Sequence, residues 1–336
     1  MSKTQSCLIV GAGMAGLTAA AALEAKGWVV VLLDKGRGVG GRMATRRVGE
    51  SRLDHGAQFF TVRDARFREA ANRWEQANWV APWFAEGGRV RYRAEGGMNA
   101  LAKHLSEPFD VRTETKVGLV EPEDEGWRVI TESGQTLRAG ALVLTPPAPQ
   151  AIALLAACSD RLPSEISSTL NAIAFDPCFA LLVTIDGPGR VPPPGYIRPD
   201  QGPVEWIADN TQKGVSPGAA ALTIHARADF SRRYLEAPQE DVARLLLEAA
   251  GPWFGGRATA WQLHRWRHSR PVDAGQRPTC FVLAPTQLPR DCGRRVRRVA
   301  SGRRFSLRTR RGGEDCGSRQ LARREFNSAL VVAASI

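Results

Sequence analysis

The 336-residue chain predicts an α/β fold: a parallel-sheet domain of the dinucleotide-binding type, interrupted in sequence by a second, α+β domain. Three observations carry this. An apolar strand, Cys7 to Val10, runs into the turn Gly11-Ala12-Gly13-Met14-Ala15-Gly16 and an alanine-rich helix. A second apolar strand, 28–33, ends on Asp34. Later strands and Pro-rich breaks then alternate along a chain too long for one core.

Gly11 permits the tight exit from the strand, Gly13 removes a side chain that would hold a pyrophosphate off the backbone, and Gly16 lets the helix approach the sheet. The helix, expected from Met14 to Lys26, aims its free N–H groups and positive pole at the phosphates, so Ala12, Met14 and Ala15 belong to the same backbone cradle. The next strand delivers Asp34 about twenty residues after the glycines, where its carboxylate can accept both ribose hydroxyls. Lys35 follows, and then Gly40, Gly41 and Arg42, whose backbone donors and guanidinium suit a second approach to pyrophosphate. A plain NAD dehydrogenase does not need that second segment, which therefore points to FAD.

At Gly40-Gly41-Arg42 the chain resembles the flavin-containing amine oxidase superfamily, and within it the renalase-like proteins. The family commonly has glutamate where this chain has Asp34. Leu53-Asp54-His55-Gly56-Ala57-Gln58-Phe59-Phe60-Thr61 resembles the stretch that passes beside the isoalloxazine, which implies cofactor contacts from His55, Gly56, Ala57 and Gln58. Gly96 to Leu101 resembles a glycine-led helix start. The resemblance places Val117 at a backbone contact to adenine, and Thr145 in the strand and proline turn, 141–147, that leave the FAD domain again. Segments 206–210, 222–226 and 264–267 resemble the family's substrate domain, so the likeness extends to about residue 288.

The expected FAD-binding domain is discontinuous, comprising 1–57, 96–158 and 272–336, with the substrate domain formed by 58–95 and 159–271. Pro146-Pro147-Ala148-Pro149 and Arg270-Pro271 mark crossings. Phe179–Ile185 and Ala219–Ala226 read as strands of a mixed or antiparallel sheet. Val242, Leu245, Leu246 and Ala249 place an amphipathic helix over 238–250.

The net charge is +12. Residues 290–336 hold 13 arginines against four acidic residues, so +9 lies there and only +3 in the rest of the chain. The basic runs lack interleaved aromatics, and no nucleic-acid partner is expected. No apolar run approaches a membrane span, and Ser2 to Gln5 lead straight into the first strand without a secretory pattern. The six cysteines are scattered, which suggests reduced thiols in a cytoplasmic protein and no disulfide or metal framework.

After Pro289 the resemblance stops. It implies a closing strand, a Gly-Asp pair and a long helix facing the flavin, whereas the chain writes Arg-Arg pairs with Gly, Ser and Ala. Two readings stand: a frameshift near residue 290, or a divergent or disordered tail. As written, one wall of the flavin site is missing.

Flavin chemistry requires a substrate carbon held against the ring and water excluded, with no obligatory nucleophile or acid–base pair. No catalytic side chain is therefore assigned. Gln58, Phe59, Phe60, Trp206 and His225 are the candidate substrate pocket. His225 is equally readable as a core histidine, Phe59, Phe60 and Trp206 as packing, and Arg265 and Arg267 as a solvated strand face. The resemblance implies oxidation of 1,2- and 1,6-dihydro isomers of NAD(P)H to NAD(P)+, with O2 reduced to hydrogen peroxide. An amine or polyamine oxidase, and a catalytically silent FAD- or nucleotide-binding protein, are the alternatives.

Overall fold

The computed structural model describes residues 5–218, 220–272, 280–283 and 330–333. They fall into two compact units, the first drawn from 1–39, 108–174 and 271–336, the second from 40–107 and 175–270.

The first unit is built on a six-stranded sheet. Ser6–Val10 lies between Val29–Leu33 and Ala141–Leu144, parallel to both, with register Ile9 to Leu32 and Ile9 to Val143. Asp110–Arg112 adds a parallel strand beside Val29–Leu33, and Leu330–Ala333 one beside Ala141–Leu144. Cys280–Leu283 closes that edge in antiparallel pairing. Ile9, Leu32, Leu142 and Leu144 are fully buried, as central strands of a sheet covered on both faces require. The first helix runs Met14–Glu24, two residues short of the expected end. A separate antiparallel sheet of Val117–Glu123, Gly126–Thr131 and Thr136–Ala139 buries Trp127 and Val129.

The second unit holds a five-stranded sheet in the order Tyr196–Ile197, Val204–Asp209, Ala221–Ala226, Phe175–Ile185, Ala258–Pro271. The pairs 196–197/204–209, 204–209/221–226 and 221–226/175–185 are antiparallel. Alternation is lost in Phe179–Ile185 because nearly every side chain there is buried. Helix Gln239–Ala250 lays Val242, Ala243, Leu246 and Ala250 into that core, shifted slightly from the four positions expected. A second sheet, Phe60–Thr61, Arg89–Ala94 and Val80–Glu86, carries helix Ala65–Gln76, whose first turn Asp64 caps by accepting from Arg66 N.

Three segments pack elsewhere than the sequence suggests. Residues 40–57 and 96–107 belong to the second unit and 159–174 to the first. The cause of the first two is local: the hairpin Thr45–Val48/Ser51–Asp54 buries Val48 and Leu53 against Leu182 and Ala221, and Asp54 anchors helix Met98–Ser106. For the third, helix Ser164–Asn171 packs on helix Ala148–Leu154. Cys7, Cys158 and Cys178 are free thiols. Among the described residues no helix is long and apolar enough to cross a membrane, and no His/Cys/Asp/Glu group is arranged to hold a metal. The expected frameshift or divergence concerns residues outside the described ones, apart from the Leu330–Ala333 backbone.

Candidate functional site

In the first unit the turn leaves no room for a side chain at Gly11 or at Gly16. Gly11 sits at φ +103°, and a Cβ there would meet Thr145 Oγ1 at 2.3 Å. A Cβ on Gly16 would lie 1.9 Å from the Gly11 carbonyl oxygen. Thr145 itself donates to the Val10 carbonyl at 2.8 Å, so the expected Thr145 position adjoins the turn. The cap bond of the helix runs from Leu17 N to Gly13 O, and the amides of Met14, Ala15 and Gly16 form its open end. That end fits an anion.

Asp34 is already engaged. One carboxylate oxygen accepts from Ala12 N and the other from Gly36 N, both at 2.7 Å. It braces the cradle as well as offering its remaining lone pairs, a role not apparent from spacing alone. Lys35 points away, donating to Gln150 Oε1 at 3.1 Å. Val117 opens its strand in a buried position.

In the second unit the two remaining segments expected to meet the cofactor are zipped together. Ala57 N donates to Arg42 O at 2.8 Å and His55 N to Ala44 O at 3.0 Å. Gly40 and Gly41 both take positive φ, and Gly56 is obligatory because a Cβ would lie 1.9 Å from Arg42 O. The Arg42 guanidinium donates to Ser269 O at 3.1 Å, and burial lowers its pKa.

A buried polar network underlies this stretch. Lys213 Nζ donates to Asp54 Oδ2 at 2.7 Å, with both side chains inaccessible to water. Asp54 Oδ1 accepts from Thr45 Oγ1 and from Met98 N, so its charge caps a helix whose own N-cap is Gly97. Asn210 Oδ1 accepts from Asp54 N, and Thr223 Oγ1 donates to Asp54 O. Burial pulls the Lys213 ammonium down, opposed by Asp54. Gln58 donates to the carbonyls of Asp54 and Gly56 and accepts from Lys213 Nζ at 3.4 Å. It supports the network.

Three histidines gather beside it. His225 Nε2 lies 3.2 Å from His55 O, and Trp266 Nε1 donates to the same oxygen at 2.8 Å. The His55 ring stacks on Trp266 and meets His264 edge-on. Burial first, and then neighbouring positive charge, lowers His55 to about 3; burial lowers His225 and His264 to about 4. All three are neutral at pH 7. His55 Nδ1 is buried without a hydrogen-bond partner.

The aromatic candidates separate. Phe59 joins Trp83, Phe84 and Trp206, and Tyr196 stacks on Trp206 with ring centroids 4.6 Å apart. Phe60 points to the other face of its strand and packs on Phe67, Trp74 and Tyr92, so it is not brought to this group. Trp206 Nε1 is a second buried donor without a partner. Cations lie over the cluster: Arg91 over Phe59, Arg198 over Trp206 and Lys213 over Trp83, at 5.4, 5.0 and 4.8 Å. Glu86 pairs with both arginines. A cavity of about 440 Å³ adjoins the cluster, lined by Trp83, Arg93, Gln212 and Lys213 among others.

Trp83, Phe84, Tyr196 and Lys213 were not singled out by sequence. The run Trp206 to Asn210 pointed to the neighbourhood, but an isolated lysine reads as a surface residue. Arg267 does meet solvent, whereas Arg265 is half-buried with its guanidinium over the Phe179 ring; both pair with Glu236.

Comparison with known proteins places these features. Residues 9–74 match an NAD(P)-binding Rossmann-like domain, and residues 75–291 match the flavin containing amine oxidoreductase family. Mouse (Mus musculus) renalase is 23% identical over 302 residues, covering 82% of this chain and 88% of its own. A putative protoporphyrinogen oxidase from Exiguobacterium sp. 255-15 superposes with TM-score 0.61 at 15% identity, covering 81% of this chain and 88% of that one. Putrescine oxidase bound to putrescine gives TM-score 0.57 at 14% identity, covering 78% and 84%.

Proposed function

Because the chain belongs to the flavin-containing amine oxidoreductase family, we propose that it is an FAD-dependent oxidase of 1,2- and 1,6-dihydro isomers of NAD(P)H, releasing NAD(P)+ and hydrogen peroxide. The observation that carries the choice of substrate is the charge around the aromatic cluster. Arg91, Arg198 and Lys213 already occupy the faces of Phe59, Trp206 and Trp83. An ammonium substrate would need those faces free, because the attraction of a cation to a ring is spent on the resident cation. An anionic dinucleotide would instead meet complementary charge at Arg198, the most exposed of the three cations.

In this reading the amides of Gly13 to Gly16 and the carboxylate of Asp34 hold the ADP part of FAD. Arg42 and the His55–Ala57 backbone serve the remainder, with the unpartnered His55 Nδ1 as a further contact. Bound FAD supplies the hydride acceptor and the return of two electrons to O2. The aromatic cluster of Phe59, Trp83, Phe84, Tyr196 and Trp206 would wall the dihydronicotinamide side of the site and exclude water from it. Trp206 Nε1 donates to a substrate acceptor, and neutral His225 fixes the backbone at His55. No side chain has to take a proton from the substrate, since the ring carbon would lose only a hydride and become part of the pyridinium of NAD(P)+, and the one proton that completes hydrogen peroxide would come from water.

The test is anaerobic mixing of the flavin-loaded protein with each dihydro isomer and with putrescine. Rapid bleaching by an isomer and none by putrescine is expected. Bleaching by the amine alone would establish the amine-oxidase alternative, and a protein that takes up FAD but is reduced by neither class would be a silent binder.

A further inference from the structure

The match to the oxidoreductase family ends at residue 291, where the arginine-rich segment begins. We propose that the segment from about residue 290 is the out-of-frame reading of the family's closing flavin-binding segment, and that the intended codons begin one nucleotide later.

The genetic code makes this specific. Every glycine codon and every arginine codon has G in its second position. Read one nucleotide later, that G becomes the first base of a codon, and codons beginning with G encode only Gly, Ala, Val, Asp and Glu. A stretch of small and acidic residues read one nucleotide early therefore emerges as arginine and glycine, which is the composition seen here.

The individual residues agree. Cys292-Gly293-Arg294-Arg295-Val296-Arg297-Arg298 can be written TGC GGG CGA CGC GTT CGG CGG, followed by the G that opens the Val299 codon. One nucleotide later this reads Ala-Gly-Asp-Ala-Phe-Gly-Gly. The Gly-Asp pair missing from the written chain is recovered where the family match stops. In the remaining frame Asp would require a following codon that starts with A and a pyrimidine, and no residue in 292–298 has one. Only one shift restores the pair.

The agreement continues where the arithmetic is less permissive. Ser306-Leu307-Arg308-Thr309-Arg310-Arg311-Gly312-Gly313, with the first base of Glu314, allows Leu-Ser-Gly-Arg-Ala-Ala-Ala-Glu in the same frame. The leucine, serine and arginine of that reading do not begin with G, so they do not follow from glycine and arginine codons in general. The product is a low-charge, alanine-rich stretch with high helix propensity, and it replaces a segment that carries three arginines and no acidic residue.

The inference rests on family membership and not on which substrate is oxidised. Its test is sequencing of the genomic locus and transcript across codons 280–320, with mass spectrometry of the C-terminal peptides of the protein isolated from its source. The expected result has G as the third base of the Gly293 codon, A as that of Arg294 and T as that of Val296, with no stop codon in the shifted frame through residue 313. The isolated protein yields the Asp-Ala-Phe-Gly-Gly peptide. Any other third base at Arg294 forbids Asp, and it would overturn the proposal, as would native peptides containing Phe305-Ser306-Leu307-Arg308. In that event Leu330–Ala333 is the genuine edge of the sheet. A second readout follows flavin: the frame-restored chain retains FAD through gel filtration with at least tenfold higher occupancy than the chain as written. Equal occupancy overturns the assignment of the shifted segment to flavin binding, whatever the protein oxidises.

Discussion

Trp206 offers the sharpest separation of binding from packing. Its indole ring is stacked on Tyr196 while its N–H is buried without an acceptor, an arrangement that costs about 1–3 kcal/mol unless a ligand supplies one. Trp206→Phe keeps an aromatic ring and removes only the orphan donor and part of the area. Thermal stability is therefore expected to hold or rise, while KM for the dihydronicotinamide rises about tenfold, equivalent to about 1.4 kcal/mol. A fall in melting temperature with KM unchanged would make Trp206 a core residue and nothing more. Gly13 permits a similar separation in the first unit. Its φ of −81° and ψ of −177° are open to any residue, so Gly13→Val does not strain the turn. The variant should fold normally, by circular dichroism, and emerge colourless. Retained yellow colour would show that nothing approaches the backbone at that residue. Gly11 and Gly16 could not give so clean an answer, since a Cβ at either collides with the turn itself.

At the scale of elements, the Ser51–Asp54 strand and the stretch after it depend on charge buried away from water. Lys213→Met leaves the Asp54 carboxylate uncompensated among Thr45, Met98 and Asn210, and should destabilise the protein by about 3–5 kcal/mol in urea titrations. Lys213→Met with Asp54→Asn should recover much of that loss. A double variant as weak as the single one would mean that the helix cap, and not the ion pair, dominates. The histidines add a pH dependence of defined sign. Each has a folded pKa below its ordinary value, about 3 for His55 and about 4 for His225 and His264. The unfolded chain then binds more protons than the folded one between those values and about 6.5. Their contribution is complete above pH 6.5 and is lost as pH falls toward 4, by up to about 1.4 kcal/mol per histidine per pH unit. Urea midpoints should drop between pH 7 and pH 5, and His264→Gln should flatten the drop; an unchanged slope would indicate that the rings are protonated in the fold. None of this coupling was legible beforehand. His225 could be narrowed only to core or contact, because the atom it bonds, His55 O, is far away in sequence.

For the whole molecule, sequence legibility followed the range of the interactions. The turn 11–16, Asp34 and the central strands were readable because their chemistry is local and repeats one strand–turn–helix pattern. The aromatic cluster was not, since Phe59, Trp83, Tyr196 and Trp206 come from four separate stretches that only the sheets bring together. The compact units differ from the expected domains for the same reason: residues 40–57 carry the motif expected to meet the cofactor, yet their packing partners lie near residues 182 and 221. Charge is the property that sequence assigns without any fold, and it supports a last prediction. Arg294, Arg295, Arg297 and Arg298 form the densest basic run, while the rest of the chain before residue 290 is nearly balanced. Affinity for a phosphate polymer should therefore come from the written tail and respond to salt through counterion release, with a slope of about −0.9 per phosphate neutralised. Replacing those four arginines by glutamine should lower the slope of log K against log salt on duplex DNA by up to about 4, leaving no sequence preference either before or after. If the slope is unmoved, the polyanion site lies on the folded units, where the cations over Phe59, Trp206 and Trp83 become its first candidates and a nucleic-acid partner has to be reconsidered.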